Sequence, residues 1–273
     1  MLKSVHDPPL ALYARGEFKS SDSSSVGVVG TRRPTHYGRE VTERFSFTLA
    51  QAGITVVSGL ALGIDTTAHR SAVRAGGRTI AVMGSGFDHV YPGSNAQLCD
   101  EIARHGVVIS EFPLAKRPDK TTFPMRNRIV SGLSKAVLIV EAGQKSGALI
   151  TADQALEQGR AVFAVPGRID SPRSMGVNAL IKDGARPATC PDDVLEEFET
   201  LFPAARQETQ GGGQTQLDEK ERQLLRILES GPTEVDSLIR HSDLDPGTVS
   251  SLLIGLEMKK KVRMLPGRTV EMR

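Results

Sequence analysis

Two adjacent arginines, Arg32 and Arg33, follow a glycine at the end of an apolar run, VGVVGTRRP at residues 26–34. A strand that ends in a glycine turn before a helix is a natural anion site, because backbone N–H groups and the helix N-terminus favour negative charge. Gly30 would allow a sharp turn, and Thr31 supplies a hydroxyl and a backbone donor. The forked guanidinium groups of Arg32 and Arg33 suit phosphate oxygens. The G-x-G-x-x-G spacing of a dinucleotide fold is absent, so a free dinucleotide is not the natural ligand. Two surface arginines in a loop are the competing reading of this stretch taken alone.

A second basic segment, KRPDKTTFPMRNRIVSG at residues 116–132, carries Lys116, Arg117, Lys120, Arg126 and Arg128, with Asp119 as its only acid. Phe123 and Asn127 sit among these cations. Cations beside an aromatic ring and an amide form a phosphate track next to a base-stacking surface, which is single-strand chemistry. The competing reading places Phe123 in the core and the arginines in ion pairs. A third anion-friendly turn, EAGQKSG at residues 141–147, brings Lys145 and Ser146 to the start of a helix without Walker A spacing.

Other chemistries find less support. Asp65 and His69 stand four apart, which suits either two metal ligands or a helix-capping acid and a packed imidazole. No third ligand is nearby, so no metal is expected. Gly84-Ser85-Gly86 offers small residues after a strand, and Tyr91-Pro92 shapes the loop beyond it. Asp65, Glu111 and Glu141 fall near strand ends, where structural roles outweigh acid–base catalysis. Nucleophile-elbow and zinc-protease motifs are missing, and no cofactor motif is found. The two cysteines, Cys99 and Cys190, are far apart and suggest no oxidised framework. The formal net charge is +2, so bulk charge does not announce nucleic acid, and any such binding rests on local clusters. No apolar run reaches membrane-spanning length, so a cytoplasmic protein without a membrane segment is expected.

The elements that must position these residues can be read from periodicity. Strands are expected at Val26–Val29, Ile54–Val57, Thr79–Met83, Val107–Ser110, Ala136–Val140 and Ala161–Val165. Each is apolar nearly throughout, as in a parallel sheet covered on both faces. Val41, Phe45 and Leu49 share one helical face, with Gly53 as the stop. Asp65 is expected to N-cap the next helix, which ends at Gly76-Gly77. The alternation predicts an α/β, Rossmann-like, doubly wound, mostly parallel sheet over residues 1–203, with ligands at the carboxyl ends of its strands. A polar, glycine-rich linker is expected over 204–216. Three short helical patterns and two strands around a Pro-Gly turn predict a winged-helix domain over 217–273. That module carries ten basic and ten acidic residues and is formally neutral.

The quoted stretches, with SGLALGIDTTAH, FPMRNRIVSGLS, VEAGQKSGALITA and FAVPGRID in order, resemble the DNA processing protein A family (DprA, also called Smf) over most of the first 190 residues. The tail is similar to the winged helix many members carry. The resemblance implies an extended Rossmann fold that binds single-stranded DNA in a basic pocket and acts in natural transformation and recombination. It further implies protection of incoming DNA, loading of RecA, displacement of single-strand-binding protein, and a homodimer. Onto matching positions it carries Arg32, Phe123, Arg126, Arg128 and Lys145 as DNA-binding residues. Gly30, Thr31, Arg33, Asn127 and Ser146 complete the expected site. The chain is expected to lack the small sterile-alpha-motif-like domain that opens many relatives. Some relatives also read Ser where this chain has Thr31 and Thr35, which keeps the hydroxyl. The alternative function is a nucleotide hydrolase of the cytokinin-activating type, but PGRID lacks the second glycine and the glutamate of that family's PGGxGTxxE motif.

Overall fold

The computed structural model describes residues 2–201, 219–228, 231, 233–242, 244, 248–249, 252–253, 256, 262–265 and 269–272. The chain divides into two compact units, Met1–Gly212 and Gly213–Arg273. The linker expected over 204–216 lies outside the described residues.

The first unit is built on β1 (Tyr13–Gly16), β2 (Ser25–Val29), β3 (Thr55–Ser58), β4 (Thr79–Met83), β5 (Val107–Ser110), β6 (Ala136–Ile139), β7 (Ala161–Ala164) and β8 (Arg186–Pro187). They form one sheet in the order β1-β5-β4-β3-β2-β6-β7-β8. Only β1 runs antiparallel, against β5. β2 to β6 are apolar, almost wholly buried strands, because helices cover both faces. The helices are α1 (His36–Gln51), α2 (Ile64–Arg74), α3 (Ala96–His105), α4 (Thr122–Leu133), α5 (Gly147–Glu157), α6 (Met175–Lys182) and α7 (Pro191–Leu201).

Two apolar layers sandwich the sheet. One gathers Phe45, Leu49, Ile64, Ala68 and Phe163, and the other gathers Ile129, Val130, Ile139, Ala152 and Val177. β2 lies between β3 and β6, so the chain winds outward in both directions from this point. The loops after β2 and β6 therefore diverge and leave a crevice, where such sheets bind ligands.

The expected cap of α2 is corrected. Gly63, at φ 81°, is the N-cap, and Asp65 lies one step inside the helix. Its carboxylate turns back to accept from the N–H groups of Gly59 (3.1 Å) and Ala61 (3.3 Å), closing the turn after β3.

The second unit contains α8 (Glu219–Leu228), β9 (Thr233–Glu234), α9 (Val235–Ser242), β10 (Val262–Leu265) and β11 (Thr269–Met272). The strands pair antiparallel in the order β10-β11-β9. Leu224, Leu228, Leu238, Leu253, Leu256 and Val270 build its core. Most of the expected third helix, the Lys259–Lys261 cluster and the Pro-Gly turn lie outside the described residues.

Candidate nucleic-acid interface

A cleft of about 640 Å³ opens at the carboxyl ends of β2, β3 and β6. The turn after β2 supplies Gly30, Thr31, Arg32 and Arg33. The segment leading into α4 supplies Lys120, and α4 supplies Phe123, Arg126, Asn127 and Val130. Ser146, Gly147 and Ala148 come from the start of α5, and Arg173 from the segment before α6. The α4 residues follow the i, i+3, i+4, i+7 spacing of one helical face.

Gly30 is required by packing. A Cβ there would stand 2.7 Å from Cγ1 of Ile64 and 3.0 Å from the carbonyl oxygen of Glu141. Its φ is not in the left-handed region, so close packing, and not a positive φ, requires the glycine. The expected anion cradle at this turn is also already occupied. The Thr31 N–H donates to the Glu141 carbonyl (2.7 Å), and the Arg33 N–H donates to Thr31 Oγ1 (3.2 Å). The Glu141 carboxylate accepts from the Thr35 N–H (2.9 Å) and the Thr35 hydroxyl (2.6 Å), so a protein acid sits where α1 begins. The free donors this turn offers an anion are therefore the arginine side chains.

Arg32 is exposed, and its guanidinium carbon lies 4.9 Å from the centroid of the Phe123 ring, within cation–π range. Phe123 is partly buried, and its ring is also tilted at 44° to that of Tyr91, with centroids 5.7 Å apart. Arg32, Arg33, Lys120 and Arg173 are exposed around the cleft. Among the described residues, none of the four is ion-paired with a carboxylate.

Arg126 differs. It is 4% exposed, and its Nη1 donates to the backbone carbonyls of Gly59 and Val82. Its Nε donates to Asn127 Oδ1 at 3.1 Å. Burial pushes its pKa down to about 10, opposed by Asp65 and reinforced by the like charge of Arg32. Arg126 thus forms part of the cleft's floor and fastens α4 to the ends of β3 and β4. Asp65, the only acid among the described residues that line the cleft, is raised above the usual carboxylate range by burial, against the lowering effect of Arg126. His69 is fully buried, bonded to the Thr79 hydroxyl (2.7 Å), and pushed down to about 3 by burial. Among the described residues no cluster of three or more His, Cys, Asp or Glu is placed to hold a metal.

Arg128 and Lys145 are not brought into the cleft lining. Arg128 is five residues from Phe123, about 140° around the helix. There it donates to Glu111 Oε1 (2.7 Å) and Asp7 Oδ2 (3.0 Å), with its side chain only 12% exposed. Lys145 is exposed on the turn just before Ser146. Lys116, counted with the basic segment, pairs with Asp119 at 2.8 Å. Asp119 in turn accepts from the N–H groups of Thr121 (2.8 Å) and Thr122 (3.1 Å) at the start of α4. Lys120, one of the cations of the basic segment, lines the cleft, as does Arg173, which the sequence reading did not single out. Lys120 lies on the turn just before α4, and Arg173 carries no local signal of its place in the cleft.

A doubly wound sheet with a cation-rimmed cleft at its switch point, accompanied by a winged-helix unit, defines an α/β ligand-binding protein of the Rossmann-like class. Residues 1–199 match the model of the DNA recombination-mediator protein A family, and residues 208–268 match the DprA winged helix domain. The chain belongs to the DNA recombination-mediator protein A family. It is 48% identical to the DNA processing protein DprA of Bacillus subtilis over 72% of this chain and 67% of that one. The X-ray structure of DNA processing protein A from Streptococcus pneumoniae has a TM-score of 0.70 at 42% identity, covering 72% of this chain and 70% of that one. DNA processing protein A from Helicobacter pylori, whose structure addresses its single-stranded DNA binding mode, has a TM-score of 0.67 at 34% identity, covering 74% and 92%.

Proposed function

We propose that this protein binds single-stranded DNA across the switch-point cleft and acts in natural transformation and recombination. The observation that carries this reading is the set of exposed cations, Arg32, Arg33, Lys120 and Arg173, around the Phe123 ring. Backbone phosphates are drawn by the cations and supply affinity at any sequence, while an unpaired base stacks on the aromatic surface. A duplex keeps its bases stacked inside and offers the ring nothing. The relatives named above support the same assignment. We further propose, on the family resemblance, that the protein protects incoming strands, passes them to RecA with displacement of single-strand-binding protein, and works as a homodimer, and, on its composition, that it does so in the cytoplasm. The protein acts by binding, with no catalytic step. A nucleotide hydrolase is disfavoured because Asp65, the only acid among the described residues that line the cleft, is buried and engaged by Gly59 and Ala61.

Arg32, Arg33, Phe123, Asn127 and Ser146 are the proposed contact residues, with Lys120 and Arg173 added. Gly30, Thr31 and Arg126 shape the cleft, and Lys145 extends its basic rim. A salt titration of oligonucleotide binding, single strand against duplex, tests the proposal. The expected result is tighter single-strand binding with a steep salt dependence. Equal affinity for the two forms at every salt concentration would overturn it.

A further inference from the structure

We infer that Tyr91, which lies beside Phe123 just outside the cleft lining, is a second base-stacking surface, so that two successive unpaired bases bind, one in the cleft against the Phe123–Arg32 pair and the next at its rim against Tyr91. The inference rests on the single-strand reading of the cleft and deepens it. Tyr91 is 48% exposed, although its ring meets that of Phe123. Among the described residues its hydroxyl has no hydrogen-bond partner, whereas the Tyr37 hydroxyl is bound to the Pro166 carbonyl at 3.0 Å. Tyr91 is therefore neither buried for packing nor held by its polar end.

Its backbone, in contrast, is well fixed. The Asn95 N–H donates to the Pro92 carbonyl (2.9 Å). The Asn95 side chain donates to the Leu60 carbonyl (2.9 Å) and the Thr66 hydroxyl (2.8 Å). On the N-terminal side of Tyr91, Ser85 Oγ donates to the His89 carbonyl (2.7 Å). The Gly86 N–H donates to the Lys116 carbonyl (2.8 Å), joining this loop to the segment that leads into α4. A rigidly presented aromatic ring binds with little ordering cost.

The angle between the rings sets what can bind. Planes 44° apart cannot both lie flat against two bases that remain stacked on each other. The step bound here must be kinked, with its bases unstacked. Strands that stack strongly with themselves, such as oligo(dA), should bind more weakly than oligo(dT), and part of that preference should come from Tyr91.

The test uses the full chain and a fluorescent dT dodecamer, measured by anisotropy at several salt concentrations with a thermal melt of each variant. Tyr91→Ala should weaken binding about 5- to 160-fold, the range for loss of one base–aromatic stack, without changing the salt slope. Tyr91→Phe should bind like the parent, because the ring face is kept. Tyr91→Leu keeps apolar bulk beside Phe123 and should behave like Tyr91→Ala. Dodecamers with a single abasic site at each position in turn should include one on which parent and Tyr91→Ala bind alike. Unchanged affinity in both Tyr91→Ala and Tyr91→Leu overturns the inference, as does a loss in Tyr91→Phe equal to that in Tyr91→Ala. If Arg32→Ala, Lys120→Ala and Phe123→Ala also bind like the parent, the single-strand reading of the cleft fails. If those three lose affinity and the Tyr91 variants do not, only this inference fails.

Discussion

Arg126 and Arg128 lie two residues apart on α4, and Arg32 lies on the turn after β2, over the Phe123 ring of the same helix. Their electrical situations differ. Arg126 is sealed in and spends its donors on the carbonyls of Gly59 and Val82. Arg128 is held between Glu111 and Asp7. Arg32 faces solvent over an aromatic ring with no carboxylate partner among the described residues. Only the last is free to neutralise a phosphate at no loss of an internal partner. Counting arginines in a basic segment therefore overstates its free cations. What matters is whether the fold brings an acid or a carbonyl to each guanidinium.

The comparison breaks most visibly at Arg126. Arg126→Ala leaves two buried carbonyls without a donor, at about 1–3 kcal/mol each, and opens a cavity as well. Denaturant unfolding should show a loss on the order of 3 kcal/mol, with binding falling as the folded fraction falls. Phe123→Ala should instead cost about 1–3 kcal/mol in affinity at an unchanged salt slope. A drop in melting temperature that accounts for the whole affinity loss would return Phe123 to a packing role.

Arg128→Ala sharpens the contrast from the other side. It removes the partner of a mostly buried Glu111, so stability should fall by about 1–3 kcal/mol while the salt slope of binding stays at the parent value.

Acidity probes the same buried cluster. His69 has a folded pKa of about 3 against an ordinary 6.5. The unfolded chain therefore takes up the proton first, and stability present above pH 6.5 is lost as pH falls toward 3. Between pH 7 and pH 5.5 the loss should be about 1 kcal/mol. Asp65, raised by burial, contributes with the opposite sign. Comparing His69→Gln with the parent isolates the imidazole, and the variant's stability should vary less over this window. The smallest effect is expected for Arg32→Lys. It keeps the charge and the salt slope and loses about 0.5–1 kcal/mol of affinity with the planar contact to Phe123.

Much of this architecture is legible in the residues. The six inner strands are continuous apolar runs, and each lies within one residue of its expected limits. The two edge strands were not foreseen. β1, YARG, is exposed along its length, and β8 is two residues ending in Pro187, so neither carries a burial pattern. In the site, the turn after β2, Phe123, Asn127 and Ser146 converge as spacing suggests. Arg128 does not, because the basic segment becomes helical at Thr122 and turns that side chain away. Helix phase would have separated it from Phe123, Arg126 and Asn127. Tyr91 was legible as a loop-shaping residue only, since nothing local announces that its loop folds against α4.

The most direct measurement is the slope of log affinity against log salt for single-strand binding, in three variants assayed side by side. Arg32→Ala and Lys120→Ala should each flatten the slope by roughly 0.7, the loss of one phosphate contact on a single strand. Arg128→Ala should leave it unchanged. A flattened slope in Arg128→Ala, with parent slopes in the other two, would contradict the division of cations on which this account rests.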